Sequence, residues 1–347
     1  MEGGVGRREL LRQIGARVIG GVAARDVLAG EGTAGSPAGE SVPASRPAAG
    51  PADVGSIRGL ATRRLGRVGI QVPPLSLGTA PMGHAFYQAE PFEEVVNAAI
   101  DAGIRYLDTA RIYDVAEERL KPVLAKRRKE VFLVTKTWAK SRDDCLRSLE
   151  KSLSLLGVDY VDLCHIHNVG DYETEEAIGK NGCLAGLREA KKRGLIRHIG
   201  CTGHFMVPRF VPVIETGEID VLMCAMNFVD YHTYNFEEKV LPTARKHDCG
   251  IIAMKVYGGV TGSWDGYKKR RPGRLVDDAD RQDAIDYALS IPGVATCVVG
   301  VKTLEELRLT IQAARNHRPL EGPRRETVMA KGAAMARDWG DHLGKVA

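Results

Sequence analysis

Eight short apolar runs, each followed by a segment of helical spacing, constrain this chain more than any other feature. They fall at residues 74–78, 104–108, 131–135, 160–164, 196–201, 221–226, 251–254 and 294–299. Between the first two, Phe92, Val95, Val96, Ala99 and Ile100 recur at helical intervals, opened by Pro91 and closed by Gly103. After the third, Ser141 with Asp144 three residues on starts a helix that places Leu146, Leu149, Leu153 and Leu156 on one face and stops at Gly157. Eight βα units in a row, with strands apolar enough to be covered on both faces, predict an α/β fold, a parallel (β/α)8 TIM barrel. A doubly wound open sheet is the alternative. It calls for a GxGxxG turn after its first strand, and Leu77-Gly78-Thr79-Ala80-Pro81-Met82-Gly83 lacks that form. Two alternating runs within residues 62–72, around Gly66 and Gly69, predict a small N-terminal β-hairpin ahead of the barrel.

The 347 residues suffice for such a barrel with extensions. Basic and acidic residues, 49 against 44, are scattered along the chain, so the net charge of +5 marks no nucleic-acid partner. No run of about 18 apolar residues occurs, and no membrane span is expected. Cys145, Cys164, Cys183, Cys201, Cys224, Cys249 and Cys297 include no CxxC pair; their odd number and wide spacing read as buried free thiols.

The first part of the chain differs in kind. From Val27 to Ser56 the residues are mostly Ala, Gly, Pro and Ser with no aromatic, too little apolar area to offset the entropy of ordering. A disordered linker is expected over residues 27–57, ahead of a barrel with a C-terminal helix over 58–347. In residues 1–26, Arg7-Arg8, Leu10-Leu11, Arg12 and the weakly apolar IGARVIGGVAA resemble a twin-arginine export signal. The resemblance implies the twin-arginine export machinery as a partner and an exported or periplasmic location; a basic leader with no address would leave the protein in the cytoplasm.

In a parallel barrel, chemistry sits where the strands run into the following loops. The second strand ends in Asp108, followed by Tyr113; the third ends in Thr135-Lys136, the fourth in His165-Ile166-His167 and the fifth in Cys201-Thr202-Gly203-His204. The sixth ends at Asn227, the seventh at Lys255 and the eighth at Gly300. An acid, a phenol, an amine and an imidazole thus arrive from three adjacent strands.

The hairpin, GIRYLDTARIYDVAEERL, VFLVTKTW, DYVDLCHIH, GLIRHIGCTGH and GVATCVVGVKT resemble, in order, successive blocks of the aldo-keto reductase superfamily, from about Arg63 to about Ala314. The resemblance implies a catalytic tetrad of Asp108, Tyr113, Lys136 and His167; His165 falls outside it. The chemistry suits these types. Carbonyl reduction needs a hydride, which no side chain supplies, so a nicotinamide cofactor is implied. A free phenol titrates near 10. A neighbouring ammonium, here Lys136 held by Asp108, makes Tyr113 a stronger acid, and His167 would donate a hydrogen bond to the substrate oxygen.

By the same resemblance, Thr202 and Gly203 occupy the pair that holds the nicotinamide amide. Gly78, Thr79, Asn227, Met254 and Lys255 are further cofactor contacts, and Met223 stands where the family often has glutamine. Gly300, Val301, Lys302 and Thr303, with Glu306 and Thr310, fall in the block that grips the adenosine phosphate. Lys302 favours a 2′-phosphate and Glu306 opposes it; the expected cofactor is NADP(H), with NAD(H) the alternative. Met82, Tyr87 and Trp138 are expected to line a pocket for a small-molecule carbonyl substrate, under the Gly-rich, basic loop of residues 257–274. The tail after Ala314 has no cysteine for the iron–sulfur block of some relatives.

Two other classes compete. A cofactor-binding barrel that senses or regulates with little turnover is compatible with the unusual Met223, Gly203, Glu306 and Thr310. His165-Ile166-His167, with His204 or His198, is also how metal-dependent barrel hydrolases present imidazoles to an ion, although a convergent ligand set is missing and no metal is expected.

Overall fold

Eight strands close into a parallel barrel in a computed structural model that describes residues 53–83, 92–258, 275 and 277–347. They are β3 (Leu75–Gly78), β4 (Tyr106–Asp108), β5 (Phe132–Thr137), β6 (Val161–Ile166), β7 (Ile196–Gly203), β8 (Val221–Ala225), β9 (Gly250–Met254) and β10 (Val294–Gly300). Each pairs with its sequence neighbour, and β10 closes on β3 through the register Val299↔Leu77 and Gly300↔Gly78. The first two strands, β1 (Arg63–Arg64) and β2 (Gln71–Val72), form an antiparallel hairpin. Leu65 and Val72 from the hairpin join Tyr106, Val134, Leu163, Val221, Ile252 and Ala295 in one buried cluster that fills the barrel interior. The hairpin therefore plugs the end of the barrel at which the strands begin, as Arg67 N–H donates to Asp248 O at 2.7 Å. A Cβ on Gly66 would lie 2.1 Å from Gly250 N, so only glycine allows this approach.

The helices form where the spacing places them. Phe92–Asp101 buries Phe92, Val95, Val96, Ala99 and Ile100, the stripe read from the sequence. Arg142–Leu156 starts with Ser141 accepting a hydrogen bond from Asp144 N–H and ends at Gly157 with φ +67. Its buried face is Cys145, Leu149, Ser152, Leu153 and Leu156, while Leu146 is only half-buried. All seven cysteines are buried and free.

The packed body begins before residue 57, where the linker was expected to end. Val54 and Ile57 are buried, and Ile57 N–H donates to Ala102 O at 2.8 Å. Residues 1–52, which hold the leader and most of the linker, lie outside the described residues, as do residues 84–91, 259–274 and 276. Among the described residues no helix is long and apolar enough to cross a membrane. The last helix, Gly322–Trp339, is followed by a short tail that returns toward the ends of β7 and β8.

Candidate active site

Inward positions along β4, β5 and β6 carry Tyr106 and Asp108, Val134 and Lys136, Leu163 and His165, so polar groups follow an apolar floor as each strand nears its end. Lys136 pairs in register with His165 and is 1% exposed, its stem running up the barrel wall. Its Nζ donates to Asp108 Oδ2 at 2.6 Å, Thr109 O at 2.8 Å and Tyr113 OH at 3.2 Å. Those three bonds use every hydrogen of an ammonium. Burial pushes the Asp108 carboxyl up and the Lys136 ammonium down from their ordinary values, and their mutual attraction opposes both shifts. Thr79 fixes the strand end, its N–H and Oγ1 both bonding to Asp108 O at 2.9 and 3.0 Å. A second buried acid, Glu117, accepts from Thr135 Oγ1 at 2.7 Å and adds negative potential near Lys136.

Tyr113 sits on the turn between β4 and the helix Ala116–Arg127. Gly83 permits the short helix Ala80–Gly83 to press against that turn, since a Cβ there would lie 2.5 Å from Tyr113 O. His167 follows β6, its N–H donating to Thr137 O at 2.9 Å. Its ring meets the Tyr113 ring edge to face with centroids 5.8 Å apart and lies 6.4 Å from that of Trp138. Burial, then the charge of Lys136, hold its pKa well below the usual imidazole range, so the ring is neutral at pH 7 and carries one N–H. His165 is likewise held neutral by burial in the barrel interior.

Tyr113 and His167 face a cavity of about 260 Å³ at the end of the barrel where the strands finish. Gly78, Asp108, Trp138, Met254, Lys255, Gly300, Lys302 and Glu306 also line it, as the sequence led us to expect. Trp138 is 43% exposed at the rim. Met223, His204, Tyr257 and Gly258 contribute to the wall, together with Ile112, Asn168, Asp171 and Val256, which the sequence did not single out. Asn168 and Asp171 had one readable signal: Asn directly after a strand-end histidine suits the left-handed turn it adopts, φ +57.

Other expected contacts stand elsewhere. Asn227 is fully buried and its carboxamide is saturated, donating to Asp230 Oδ2 and Lys255 O and accepting from Val229 N–H and Asp230 N–H. Gly203 faces Phe210, whose Cζ would lie 2.5 Å from a Cβ, so packing rather than a ligand explains its missing side chain. Met82 is turned into the core while its helix presents Ala80 and Pro81 to the cavity. Val301 is buried, Thr303 caps the helix Leu304–Arg315 by accepting from Glu306 N–H, and Thr310 Oγ1 donates to Glu306 O. Tyr87 lies outside the described residues.

Buried polar atoms at or near this wall without a hydrogen-bond partner include Asp108 Oδ1, His167 Nδ1, Tyr257 OH and Thr202 Oγ1. Thr202 pairs in register with the cavity-lining Met223. Thr202 does not itself line the cavity, but a buried hydroxyl without a partner next to a lining residue fits a ligand that carries an amide, as a nicotinamide does. Among the described residues, no three His, Cys, Asp or Glu side chains are grouped so that they could hold a metal ion.

The closed parallel barrel agrees with the comparisons. The chain belongs to the Aldo/keto reductase family, which it matches over residues 74–321. It is similar to the uncharacterized oxidoreductase YqkF of Bacillus subtilis, 25% identical over 297 residues that cover 75% of this chain and 92% of that protein. Methylglyoxal reductase DkgB of Salmonella typhi is 35% identical over 165 residues, 46% of this chain and 58% of that protein's length. The fold is also that of aldo-keto reductase AKR11C1 from Bacillus halodurans in its holo form, with a TM-score of 0.62 at 20% identity over 81% of this chain and 99% of the other.

Proposed function

We propose that the protein reduces an aldehyde or ketone to an alcohol with a nicotinamide dinucleotide, Tyr113 being the general acid. The observation that carries this reading is the Tyr113 hydroxyl at the cavity wall, 3.2 Å from a buried ammonium that Asp108 holds. Bound, the dinucleotide would supply a hydride to the carbonyl carbon. Tyr113 gives its proton to the carbonyl oxygen as charge develops there, and the Lys136 ammonium stabilises the phenolate left behind. Neutral His167 donates a hydrogen bond to the same oxygen, for which its N–H is the right protonation state. Thr202 and Lys255 are proposed to hold the dinucleotide at the nicotinamide and along its length, with Lys302 and Glu306 near the adenosine end.

Both NADH and NADPH are proposed to serve. Glu306 Oε2 accepts from Lys302 N–H at 2.7 Å and Oε1 lies 3.6 Å from Lys302 Nζ, so the carboxylate offsets the charge that would attract a 2′-phosphate. The test follows NADH and NADPH oxidation by absorbance with methylglyoxal, aromatic aldehydes and quinones, beside Tyr113→Phe. Turnover that disappears in the variant supports the reading. Cofactor binding with no Tyr113-dependent turnover would replace it by a sensing barrel.

A further inference from the structure

The tail after the last helix reaches the cavity wall through a chain of hydrogen bonds. The helix Gly322–Trp339 lies so close to the segment after β8 that a Cβ on Gly332 would be 2.0 Å from Phe228 O. Arg324 pairs with Asp283 and Asp286, Lys331 pairs with Asp280, and the ring Nε2 of His232 lies 3.0 Å from Met329 O. So anchored, the helix delivers His342 into the protein, where it is 8% exposed against the rings of Trp339 and Tyr234. The tail is held on both sides. Leu343 N–H donates to Tyr234 OH, Tyr234 OH donates to Gly344 O, and Met206 and Val207 N–H donate to Lys345 and Val346 O.

His342 Nε2 lies 2.7 Å from Asp230 Oδ1 and, facing a carboxylate, is the donor. The other oxygen, Asp230 Oδ2, accepts from Asn227 Nδ2 at 2.6 Å, and the same amide nitrogen donates to Lys255 O at 3.0 Å. Lys255 O also accepts from Gly258 N–H at 2.7 Å. Lys255 adopts φ +56, a left-handed conformation that a lysine holds only where its surroundings impose it. Lys255, Val256, Tyr257 and Gly258 all line the cavity.

We propose that His342 is a positioning residue for the cavity: through Asp230 and Asn227 it fixes the strained backbone of Lys255 and so sets the wall on which the dinucleotide rests. Without a donor at His342, Asp230 Oδ1 is left buried and unsatisfied. Asp230 then turns, the Asn227 amide loses the partner that orients it, and the hold on Lys255 O loosens. A charge-assisted hydrogen bond in a dry interior is strong enough to transmit this, because both Asp230 carboxylate oxygens and both polar atoms of the Asn227 carboxamide are occupied within the chain of bonds.

The full-length protein decides it with two substitutions, His342→Gln, which keeps a donor, and His342→Phe, which fills the space without one. Amide hydrogen exchange without cofactor is the primary readout. At residues 254–258 His342→Phe is expected to exchange about tenfold faster than wild type, with His342→Gln near wild type and residues 132–137 unchanged in both. A merely structural role would lower the thermal midpoint without this local signature. The second readout rests on the proposed use of a dinucleotide: fluorescence titration should give His342→Phe a Kd for NADH or NADPH raised about tenfold, with kcat at saturation within a factor of about three. A folded His342→Phe with wild-type exchange, or a His342→Gln as impaired as His342→Phe, overturns the proposal. If His342→Phe does not fold, His342→Asn, whose shorter amide stops short of Asp230, replaces it under the same criterion. Wild type that binds neither dinucleotide overturns the proposed function, and the exchange readout still decides the role of His342.

Discussion

Lys136 Nζ lies 2.6 Å from Asp108 Oδ2 with both side chains buried, and the third hydrogen of the same ammonium reaches Tyr113 OH. The useful form of Lys136 is the ammonium, which exists below its pKa and is lost as pH rises through it. Burial lowers that pKa and the Asp108 charge raises it, burial being the larger effect. Removing the charge with Asp108→Asn therefore moves the loss of the ammonium to lower pH. The kcat–pH profile of Asp108→Asn should show its alkaline limb displaced toward neutral, with kcat at pH 7 down by about 10²-fold or more. An alkaline limb at the wild-type position would mean that Lys136 does not assist the reaction.

Glu306 is proposed to decide cofactor preference by the same reasoning about charge. Its carboxylate occupies both the Lys302 amide and the neighbourhood of the Lys302 ammonium. Glu306→Gln keeps an oxygen for the amide and removes the negative charge. The ratio of kcat/KM for NADPH to that for NADH should rise roughly tenfold, about what one partly exposed charge interaction contributes. Steady-state kinetics with both cofactors measure it, and an unchanged ratio would place the 2′-position of the adenosine elsewhere.

The barrel was legible because the eight strands are buried on both faces over most of their length and so read as apolar runs, and because the hairpin's alternation stood apart from them. The polar wall was legible because Asp108, Lys136 and His167 stand where apolar runs stop. What escaped depends on contacts that only the folded chain brings together. Nothing around Asn227 tells that its carboxamide is consumed by Asp230 and Lys255 O, and the His342 that holds Asp230 lies 112 positions further on. Gly203 reads as a lost ligand group until Phe210 is seen to fill the space. Val54 and Ile57 are too sparse among small residues to mark the start of the packed body, which takes shape only when Ile57 meets Ala102.

At the opposite end of the barrel, Asp220 ties β7, the hairpin and a helix together. It accepts from Ile199 N–H at 3.0 Å and Arg67 Nε at 2.9 Å, and pairs with Lys191 at 3.3 Å. Burial alone would raise its pKa, but the hydrogen bonds from His198 and Ile199 and the charges of Lys191 and Arg67 bring it well below the ordinary value. A depressed carboxyl contributes stability that is present above its unfolded pKa, about 3.9, and is lost as pH falls toward its folded value. Asp220→Asn should be less stable than wild type by about 2 kcal/mol at pH 7. The difference should shrink below about pH 4 as the wild-type carboxyl takes up its proton. Urea unfolding at a series of pH values checks both statements; a difference that stays constant down to pH 2 would show that the charge of Asp220 contributes nothing.

The leader makes a prediction of its own. We propose that residues 1–56 direct export through the twin-arginine route, on the strength of Arg7-Arg8 and the weakly apolar segment behind them. Fused to a reporter, these residues should carry it across the membrane in a bacterial host, and Arg7→Lys with Arg8→Lys should reduce transport by at least about tenfold. Transport that survives the double substitution would assign the leader to another route or to none.

Gly200 and His165 are coupled inside the barrel. A Cβ on Gly200 would lie 2.2 Å from His165 Nδ1 and 2.8 Å from Val221 O, so the imidazole occupies space that any other residue on β7 would need. Gly200→Ala should destabilise the protein by about 1–3 kcal/mol, the usual cost of overpacking a dense interior. His165→Ala should cost a similar amount by leaving a cavity. In the double variant the methyl group enters part of that cavity, so the two losses should fall short of adding by about 1 kcal/mol, as expected for side chains in contact. The recovery stays incomplete because Val221 O belongs to the backbone of β8 and cannot move without disturbing the barrel register. Unfolding free energies for the four members of this cycle measure the coupling. Strict additivity would mean that His165 leaves its place in the wild-type barrel without resistance, and would remove it from the packed layer beneath Lys136.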